Sequence, residues 1–233
     1  MIVISTFNIQ NDIKNYSSEK CSEIIKYLTK NKIDILNLQE VFSSLDKDLS
    51  KSITSIKYSM FGKYRFFLKR IFNRINEKTP IITKYNVISY KNYNLPFLPS
   101  TLKRVMTKIE VEIDNKIVSI YNTHLDYMLD ITKKRQLNKI LKIIKKDNNP
   151  VILTGDFNLK NNNIIFNNFV KEMKEIGINH IDVLDNTWKP SKYHRAIDHI
   201  FISDSFKLKS KKIIKNIDIS DHYPILIKID FNK

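Results

Sequence analysis

Six short segments of this 233-residue chain place an acid, an amide or an imidazole directly after an apolar run. The apolar runs predict buried strands, which have no packing use for a charged or amide side chain at their ends. Ligands of open α/β sheets bind beyond the carboxyl ends of strands, so side chains at those ends are candidates for chemistry. The segments are Phe7-Asn8, Leu38-Gln39-Glu40, Asn122-Thr123-His124, Gly155-Asp156-Phe157-Asn158, Ile197-Asp198-His199 and Ser220-Asp221-His222.

Each segment taken alone has a simpler explanation. Asn8 could close a turn, and Glu40 could cap the helix that follows it. Asp156 and Asn158 are ordinary turn residues as well, and a single histidine is commonly structural or solvated. Turn chemistry does not readily produce six such strand ends in one chain, so we interpret them together as parts of one site.

The elements that must position these side chains follow from hydrophobic periodicity. Helices are predicted near residues 18–30, 41–56, 131–145 and 164–176, the last one capped by Gly177. Strands are predicted at 1–7, 33–38, 80–83, 105–113, 117–121, 151–153, 197–202, 207–214 and 224–229, with further strand material at 57–68. We expect residues 87–90 to continue the strand at 80–83, and residues 94–101 to form a surface loop.

The strands at 3–7 and 151–153 are apolar without alternation, which is typical of strands buried on both faces. A second sheet on one side and helices on the other would bury them in this way. No linker-like stretch or internal repeat divides the chain. We therefore expect one domain over residues 1–233, with an α/β architecture of mixed sheets covered by helices.

Composition limits the classes of protein that the chain can belong to. Hydrophobic residues make up 42% and charged residues 27%, which is typical of a globular protein rather than a disordered one. No apolar run approaches the roughly 20 residues that span a bilayer, and the first residues resemble a strand rather than a signal peptide. Cys21 is the only cysteine, so no internal disulfide is possible and a reducing compartment suits the chain. We expect a cytoplasmic protein without a disulfide-linked partner, and we expect a monomer.

The formal net charge of +16 suggests a polyanionic partner. Only six of the 40 basic residues are arginine, and lysine, asparagine and isoleucine are abundant throughout. Such a bias could come from the coding sequence rather than from selection for nucleic-acid binding. We therefore take the charge as support for an anionic substrate.

The polar segments, in their order along the chain, resemble the endonuclease/exonuclease/phosphatase superfamily, which includes deoxyribonuclease I. The resemblance implies a four-layer α/β/β/α sandwich with two mixed sheets, and cleavage of phosphoester bonds that depends on Mg²⁺ or Mn²⁺. It rests on Thr6-Phe7-Asn8-Ile9, Leu38-Gln39-Glu40-Val41, Asn122-Thr123-His124-Leu125-Asp126, Thr154-Gly155-Asp156-Phe157-Asn158, Ala196-Ile197-Asp198-His199-Ile200-Phe201 and Ser220-Asp221-His222-Tyr223-Pro224.

The resemblance also implies which residues hold the metal ion. Glu40 would be the principal ligand, with Asn8 and Asp221 close by. Asp156 and Asn158 would orient the attacking water and hold the phosphate or a second ion. These oxygen donors suit Mg²⁺, which prefers hard ligands and keeps several of its waters.

Proton transfer would fall to two histidines. By resemblance, His222 lies near the nucleophilic water, and Asp198 fixes its tautomer and raises its basicity. Either His222 or Asp156 could accept the proton of the water. His124 matches a second histidine that acts as an acid or polarises the phosphate, and Glu77 is the best match for the carboxylate that orients it. Glu77 could also be a solvated loop acid.

Arg104 follows the proline-containing loop, at a position where family members often carry a phosphate-contacting arginine. A charge that keeps an edge strand soluble is the alternative for this residue. The basic and aromatic segment from Tyr64 to Arg74 could contact nucleic acid or an anionic membrane. We favour a strand or helix with one buried face for that segment.

The substrate class stays open among members of the family. His124 and Phe157 stand where abasic-site endonucleases usually carry tyrosine and leucine, which argues against that activity. We favour a nuclease because of the net charge. The alternatives are a phosphatase, a phospholipid phosphodiesterase similar to sphingomyelinases, and a binding protein that has lost its chemistry.

Overall fold

The computed structural model describes residues 1–10, 18–62, 78–99, 103–183, 185–190 and 196–232, without the side chains of residues 43 and 44. Within these residues, twelve strands form two six-stranded mixed sheets. The first sheet contains, in spatial order, β11 (Phe206–Ile213), β12 (Ile225–Phe231), β1 (Ile2–Asn8), β2 (Ile35–Gln39), β4 (Ile81–Thr83) and β3 (Ser59–Phe61). The second contains β5 (Val87–Asn94), β6 (Val105–Ile113), β7 (Lys116–His124), β8 (Val151–Asp156), β10 (Asp198–Ser203) and β9 (Ile178–His180).

Two helices cover the outer face of each sheet. Helices α1 (Ser18–Lys30) and α2 (Ser43–Ser55) bury Ile24, Leu28 and Leu49 against the first sheet. Helices α3 (Asp130–Ile144) and α4 (Ile164–Glu175) cover the second sheet with a cluster that includes Leu137, Ile140 and Phe169. The predicted four-layer α/β/β/α sandwich is therefore confirmed.

The inner faces of the two sheets form the central core. Ile4 and Ile35 of the first sheet belong to the same buried cluster as Ile120 and Ile152 of the second. Every residue of β1 and of β8 is buried, which explains why these strands lack an alternating pattern. No described helix combines the length and apolar character that crossing a bilayer requires.

Most predicted elements agree with the structure to within a few residues, but residues 87–90 do not continue the strand at 80–83. Strand β4 pairs with β2 in the first sheet, whereas β5 pairs with β6 in the second. The chain crosses between the sheets at residues 84–86, where Tyr85 N–H donates to Thr83 Oγ1 at 3.1 Å. The burial of the strands reflects the crossing, since β4 is fully buried and β5 is a largely exposed edge strand.

The loops that join the elements follow standard backbone rules. Asp114 and Asn115 connect β6 to β7 with positive φ angles of 51° and 60°, as a two-residue hairpin turn of type I′ requires. Gly177 follows α4 with φ of 75°, and its N–H donates to Lys174 O at 3.0 Å. The predicted strands at 105–113 and 117–121 thus form a hairpin, and the predicted glycine cap of α4 is confirmed.

Two histidines lie at the edge of the aromatic core beneath α4. His180 Nε2 is 3.1 Å from His199 Nδ1, and His199 Nε2 is 2.8 Å from Leu159 O. Because a carbonyl can only accept, His199 Nε2 carries a proton and its Nδ1 accepts from His180. The Phe166 ring stacks on His199 with 3.9 Å between ring centroids. Burial lowers the pKa of His180 to about 4 and the pKa of His199 well below its usual range.

This pair predicts a loss of stability in mild acid. The unfolded chain binds a proton at each histidine near pH 6.5, whereas the native pair stays neutral until about pH 4 at His180. The free energy of unfolding should therefore fall as the pH drops below 6.5, by about 1.4 kcal/mol per pH unit for each histidine concerned.

Urea denaturation between pH 4.5 and 7.5 would measure this effect on the parent and on His180→Gln. The glutamine keeps a donor toward His199 but does not titrate, so its pH dependence should be shallower. Identical slopes for the two proteins would show that the pair does not contribute.

Candidate active site

Two pairs of parallel strands deliver polar side chains to one edge of the sandwich. Strands β1 and β2 run parallel, with Asn8 opposite Gln39, and Glu40 is the next residue. Strands β7 and β8 also run parallel, with His124 opposite Asp156. Each pair is joined through a helix, and both pairs end on the same side of the molecule. The expected convergence of strand ends is therefore present.

The side chain of Asn8 connects the two sheets at this edge. Its Nδ2 donates to Asp156 Oδ2 at 2.9 Å and to Glu40 Oε1 at 3.1 Å. Its Oδ1 accepts from the Gln10 backbone N–H at 3.0 Å, which orients the amide group. A single amide thus holds one carboxylate from each sheet.

A second connection between the sheets lies directly behind Asn8. Gln39 Nε2 donates to Asn122 Oδ1 at 2.7 Å and to Thr6 Oγ1 at 3.0 Å. Asn122 Nδ2 donates in turn to the backbone oxygens of Leu38 and Pro80, at 2.7 and 3.0 Å. Sequence reasoning assigned no role to Gln39 or Asn122. The available signal was their place inside apolar stretches that predict buried strand, where an amide requires partners.

The backbone at the site is unusual at three positions. Glu40 and Asn158 have positive φ angles of 58° and 51°. Asparagine tolerates this region, but glutamate adopts it rarely, so the surrounding structure imposes the conformation of Glu40. Gly155 has φ of 153°, and a Cβ there would lie 2.1 Å from Thr123 O on β7. Only glycine permits β7 and β8 to approach this closely in front of Asp156.

His124 faces the carboxylates from the second sheet. Its Nε2 is 3.6 Å from Asp156 Oδ2 and 3.9 Å from Glu40 Oε1, and its Nδ1 is 3.0 Å from an Arg104 Nη1 atom. A guanidinium can only donate, so Nδ1 accepts and the ring proton resides on Nε2, toward the carboxylates. Arg104 is only 5% exposed, so the alternative of a solvated edge-strand charge is wrong.

His222 and Asp198 form a buried pair on the other side of Asp156. His222 Nδ1 is 2.9 Å from Asp198 Oδ2, and Asp198 lies opposite Asp156 in the β8–β10 register. His222 Nε2 is 3.8 Å from Asp156 Oδ2 and 3.8 Å from Asp221 Oδ1. The ligand atoms of Asp156, Asp198 and His222 all lie within 4.8 Å of one another.

Burial and charge act in opposite directions on this pair. Burial lowers the pKa of His222, but the charges of Asp198, Asp156 and Asp221 and the hydrogen bond to Asp198 raise it to about 10. Burial raises the pKa of the Asp198 carboxyl, and the imidazolium opposes that change. The attraction between the partners favours an imidazolium beside a carboxylate, with the proton on the histidine.

Asp221 is held by a segment in which sequence reasoning found no site residue. Trp188 Nε1 donates to Asp221 Oδ2 at 3.0 Å, and Lys189 N–H donates to Asp221 O at 2.7 Å. Trp188 also pairs with His222 as an isolated antiparallel bridge. No pattern around this tryptophan signals the contact, because the two segments lie more than 30 residues apart.

Asn158 and Glu77 differ from the other predicted site residues. Asn158 N–H donates to Asp156 Oδ1 at 2.9 Å, and its side-chain Nδ2 donates to Leu125 O at 3.2 Å. Asn158 therefore braces the Asp156 carboxylate and the loop after His124. Glu77 lies outside the described residues, as does the segment from Tyr64 to Arg74.

The donor set fits a hard divalent cation. Four carboxylates meet at this edge, those of Glu40, Asp156, Asp198 and Asp221, and Asp221 Oδ1 is buried without a hydrogen-bond partner among the described residues. The ligands are oxygens, which suits Mg²⁺ or Mn²⁺ rather than a soft metal. A bound cation would offset the mutual repulsion of these charges.

Comparisons with known proteins extend these observations. A family model described as the endonuclease/exonuclease/phosphatase family matches residues 5–222. Among curated proteins, none matches the sequence.

Solved structures share the fold at low sequence identity. An endonuclease/exonuclease/phosphatase from Bacteroides vulgatus is 21% identical with a TM-score of 0.83, and the match covers 99% of both chains. The Bacteroides thetaiotaomicron mannosyl-6-phosphatase Bt3783 is 19% identical with a TM-score of 0.81, over 99% of this chain and 100% of that one. D. rerio TDP2, complexed with a single-strand DNA product, is 15% identical with a TM-score of 0.76, over 98% of each chain.

The His222–Asp198 pair yields a prediction about protonation. Replacing Asp198 with asparagine removes the nearest negative charge and the charged acceptor, so the pKa of His222 should fall from about 10 toward its ordinary value. Titration of histidine ring protons by NMR, in metal-free protein, would measure the change. His222→Gln identifies the resonance, and an unchanged pKa in Asp198→Asn would contradict the assigned cause.

Proposed function

The chain belongs to the endonuclease/exonuclease/phosphatase family and is a phosphoester hydrolase, and from that premise we propose that it is a Mg²⁺- or Mn²⁺-dependent phosphodiesterase that cleaves nucleic acid. One observation carries the proposal: carboxylates from both sheets meet beside a His–Asp pair at one edge. Residues 1–233 act as one catalytic domain and as a monomer in this proposal.

The proposed cation ligands are those that converge around Asn8. Glu40 is the principal ligand, with Asp221 and Asp156 close by. Asn8, expected from the resemblance to lie near the cation as a ligand, instead holds the Glu40 and Asp156 carboxylates through Nδ2, while its Oδ1 accepts from Gln10 N–H. A divalent cation bound there would polarise the phosphoryl oxygens and offset the carboxylate charges that raise the pKa of His222. Trp188 positions the Asp221 carboxylate by holding Oδ2, while Oδ1 has no hydrogen-bond partner among the described residues.

His222 is the proposed general base. Asp198 accepts from Nδ1–H. Once a bound cation offsets the neighbouring carboxylate charges and Nε2 loses its proton, the lone pair of Nε2 points toward Asp156 and Asp221, where a water could be deprotonated. Asp156 is the second candidate for this step, since its Oδ2 is 3.8 Å from the same nitrogen. Asn158 supports either assignment by holding the other oxygen of Asp156.

His124 is the proposed electrophilic group. With Arg104 donating to Nδ1, its Nε2–H is directed toward Glu40 and Asp156. A phosphoryl or leaving-group oxygen placed there would receive this hydrogen bond as charge develops. Arg104 lies on the Nδ1 side of the His124 ring, away from the carboxylates. We propose that it does not contact the phosphate directly, and that its positive charge strengthens the hydrogen bond that Nε2–H donates to the phosphate.

Nucleic acid is the proposed substrate because the chain carries a net charge of +16. A phosphatase or a phospholipid phosphodiesterase is the alternative. Proteins with this fold include both a mannosyl-6-phosphatase and TDP2 with a DNA product.

A chelator experiment tests the metal and the substrate together. Activity toward plasmid DNA, RNA, sphingomyelin, inositol phosphates and an aryl phosphodiester should vanish with EDTA and return with Mg²⁺ or Mn²⁺. Nucleic acid should be the best of these substrates by kcat/KM. Cleavage that resists the chelator would contradict metal dependence, and a lipid or inositol phosphate as the best substrate would favour the alternative.

Two substitutions test the proposed chemistry. Asp156→Ala and His222→Ala should each lower kcat by about 100-fold or more, the usual range for a general acid or base. The matched control is Asp114→Asn, an exposed acid in the β6–β7 turn whose positive φ suits asparagine. Circular dichroism would verify folding. Near-normal turnover in both alanine variants would remove the proposed site.

A further inference from the structure

A groove of about 740 Å³ lies between helix α3 with the turn that follows it and the outer face of β5 and β6. We call it the lysine groove, because six lysines line it. Tyr93 and Tyr121 contribute aromatic surface, and Lys91 Nζ lies 5.1 Å from the centroid of the Tyr93 ring. The lysines are Lys91, Lys108, Lys139, Lys142, Lys145 and Lys146.

Most of this positive charge has no internal compensation. The acids that line the groove are Glu110 and Asp147, and Lys108 binds both, at 2.6 and 2.9 Å. The other five lysines make no ion pair within the described part of the chain. The lining lysines therefore exceed the lining carboxylates by four, and the groove attracts anions.

Helix chemistry explains only part of this cluster. Lysines are favourable in the last turn of any helix, since they offset the partial negative charge there. This effect of the helix dipole explains the position of Lys142, which lies in the last turn of α3. The helix dipole does not explain Lys139, which lies one turn earlier, or Lys91, which belongs to strand β5 on the opposite wall of the groove. Two separate elements thus contribute unpaired charge to one concave surface.

Strand β5 and helix α3 both lead from this groove to the active site. Asn94 pairs with Val105, and Leu95 N–H donates to Arg104 O at 2.9 Å, behind His124. The buried Gln136 of α3 donates to Pro96 O at 3.0 Å and accepts from Asp126 N–H at 2.8 Å. One side chain therefore holds the 95–99 loop beside the loop that follows His124.

These two loops present exposed aromatic and apolar side chains between the groove and the site. Phe97 is 42% exposed and Tyr127 is 57% exposed, and Lys103 Nζ lies 4.9 Å from the Phe97 ring centroid. Asp126 Oδ2 accepts from the backbone N–H groups of Met128 and Leu129, at 3.1 and 2.8 Å. The loop that carries Tyr127 is thus braced, and we call Phe97 and Tyr127 the aromatic rim.

We propose that the lysine groove and the aromatic rim form a binding track for single-stranded nucleic acid that leads into the active site. This inference rests on the proposed nuclease function and specifies its substrate. Lysines would contact phosphates, and unstacked bases would stack on Phe97 and Tyr127. Duplex bases are already stacked, so a duplex could not use the rim.

The dimensions of the track suit a chain rather than a membrane. Helix α3 has 15 residues, which corresponds to about 22 Å or on the order of six stacked nucleotides. The unpaired lysines lie in a concave groove, where a polymer can enter. A bilayer would require them on a convex surface around the apolar side chains.

Matched charge-reversal variants test the groove. Lys139→Glu, Lys142→Glu and Lys146→Glu would be combined in one protein, and Lys51→Glu, Lys207→Glu and Lys212→Glu in the control. The control lysines are exposed, make no ion pair within the described residues, and belong to α2 and to the first sheet. Both proteins have the same net charge.

The measurements are KM and kcat for a 12-nucleotide single strand, a 4-nucleotide strand, the matched duplex and bis(p-nitrophenyl) phosphate. We expect the groove variant to raise KM for the 12-mer about tenfold and to reduce its salt dependence, since each lost phosphate contact removes about 0.7 from the slope. The 4-mer and the aryl diester should be unaffected. Equal effects in both variants would overturn the proposal.

A rim variant, Phe97→Ala with Tyr127→Ala, should raise KM for the 12-mer about tenfold while leaving duplex cleavage unchanged. Its control is Ile164→Ala, an apolar residue that is 70% exposed on α4. Loss of duplex and single-strand cleavage in equal measure would contradict a stacking role.

Binding without turnover separates this inference from the proposed function. Fluorescence anisotropy of a labelled 12-mer, in EDTA, should show binding that the groove variant weakens. Binding without cleavage by the metal-loaded parent would retain the track and refute the nuclease. Absence of binding to the 12-mer would overturn the track. The track would also be overturned if the parent failed to bind the 12-mer but sedimented with anionic phospholipid vesicles, and the groove variant did not.

Discussion

Carboxylates from two separate sheets must be held together against their own repulsion, and much of this fold serves that requirement. Asn8 makes the contact possible, because its amide donates to Glu40 on one side and to Asp156 on the other. The parallel strand pairs bring these residues to the same level, and the crossover helices keep each pair in register. Asp156 and Asp198 are buried, so a displaced partner would leave a buried charge without compensation.

The layer between the sheets changes character along its length. Isoleucines fill the end remote from the site, whereas Thr6, Gln39 and Asn122 occupy the end beneath it. Amides that exchange hydrogen bonds across the gap specify one relative position of the sheets, which apolar packing alone would not specify so narrowly. The geometry of the candidate site therefore depends on residues that lie behind the converging carboxylates and histidines.

The sequence predicted the architecture and most of the side chains that converge at the candidate site, because both leave local signals. Apolar runs identified nearly all strands, and the polar residue after each run identified Glu40, His124, Asp156 and His222. Residues 87–90 were misassigned because the short turn at 84–86 resembles an irregularity within one strand. The crossing to the other sheet depends on tertiary pairing.

Contacts between distant segments left no comparable signal. Strand β9 has only three residues, and it is a strand because it pairs with β10. Trp188 donates a hydrogen bond to Asp221, which lies 33 residues later in the chain. The role of Arg104 could be suggested by analogy, but its donation to His124 Nδ1 is a geometric fact. Local pattern thus predicts which residues approach the site, and packing determines what each one contacts.

Each sheet supplies part of the candidate site. Ligand binding at this site and the free energy of unfolding of the sandwich are therefore thermodynamically linked. A ligand that binds across Glu40 and Asp156 binds only when the layers are apposed, so mass action transfers its affinity to the folded state. The resistance of this protein to unfolding would then vary with its ionic surroundings. In a cell, the resistance of the protein to proteolysis would therefore increase with the concentration of the ligand that binds at this edge.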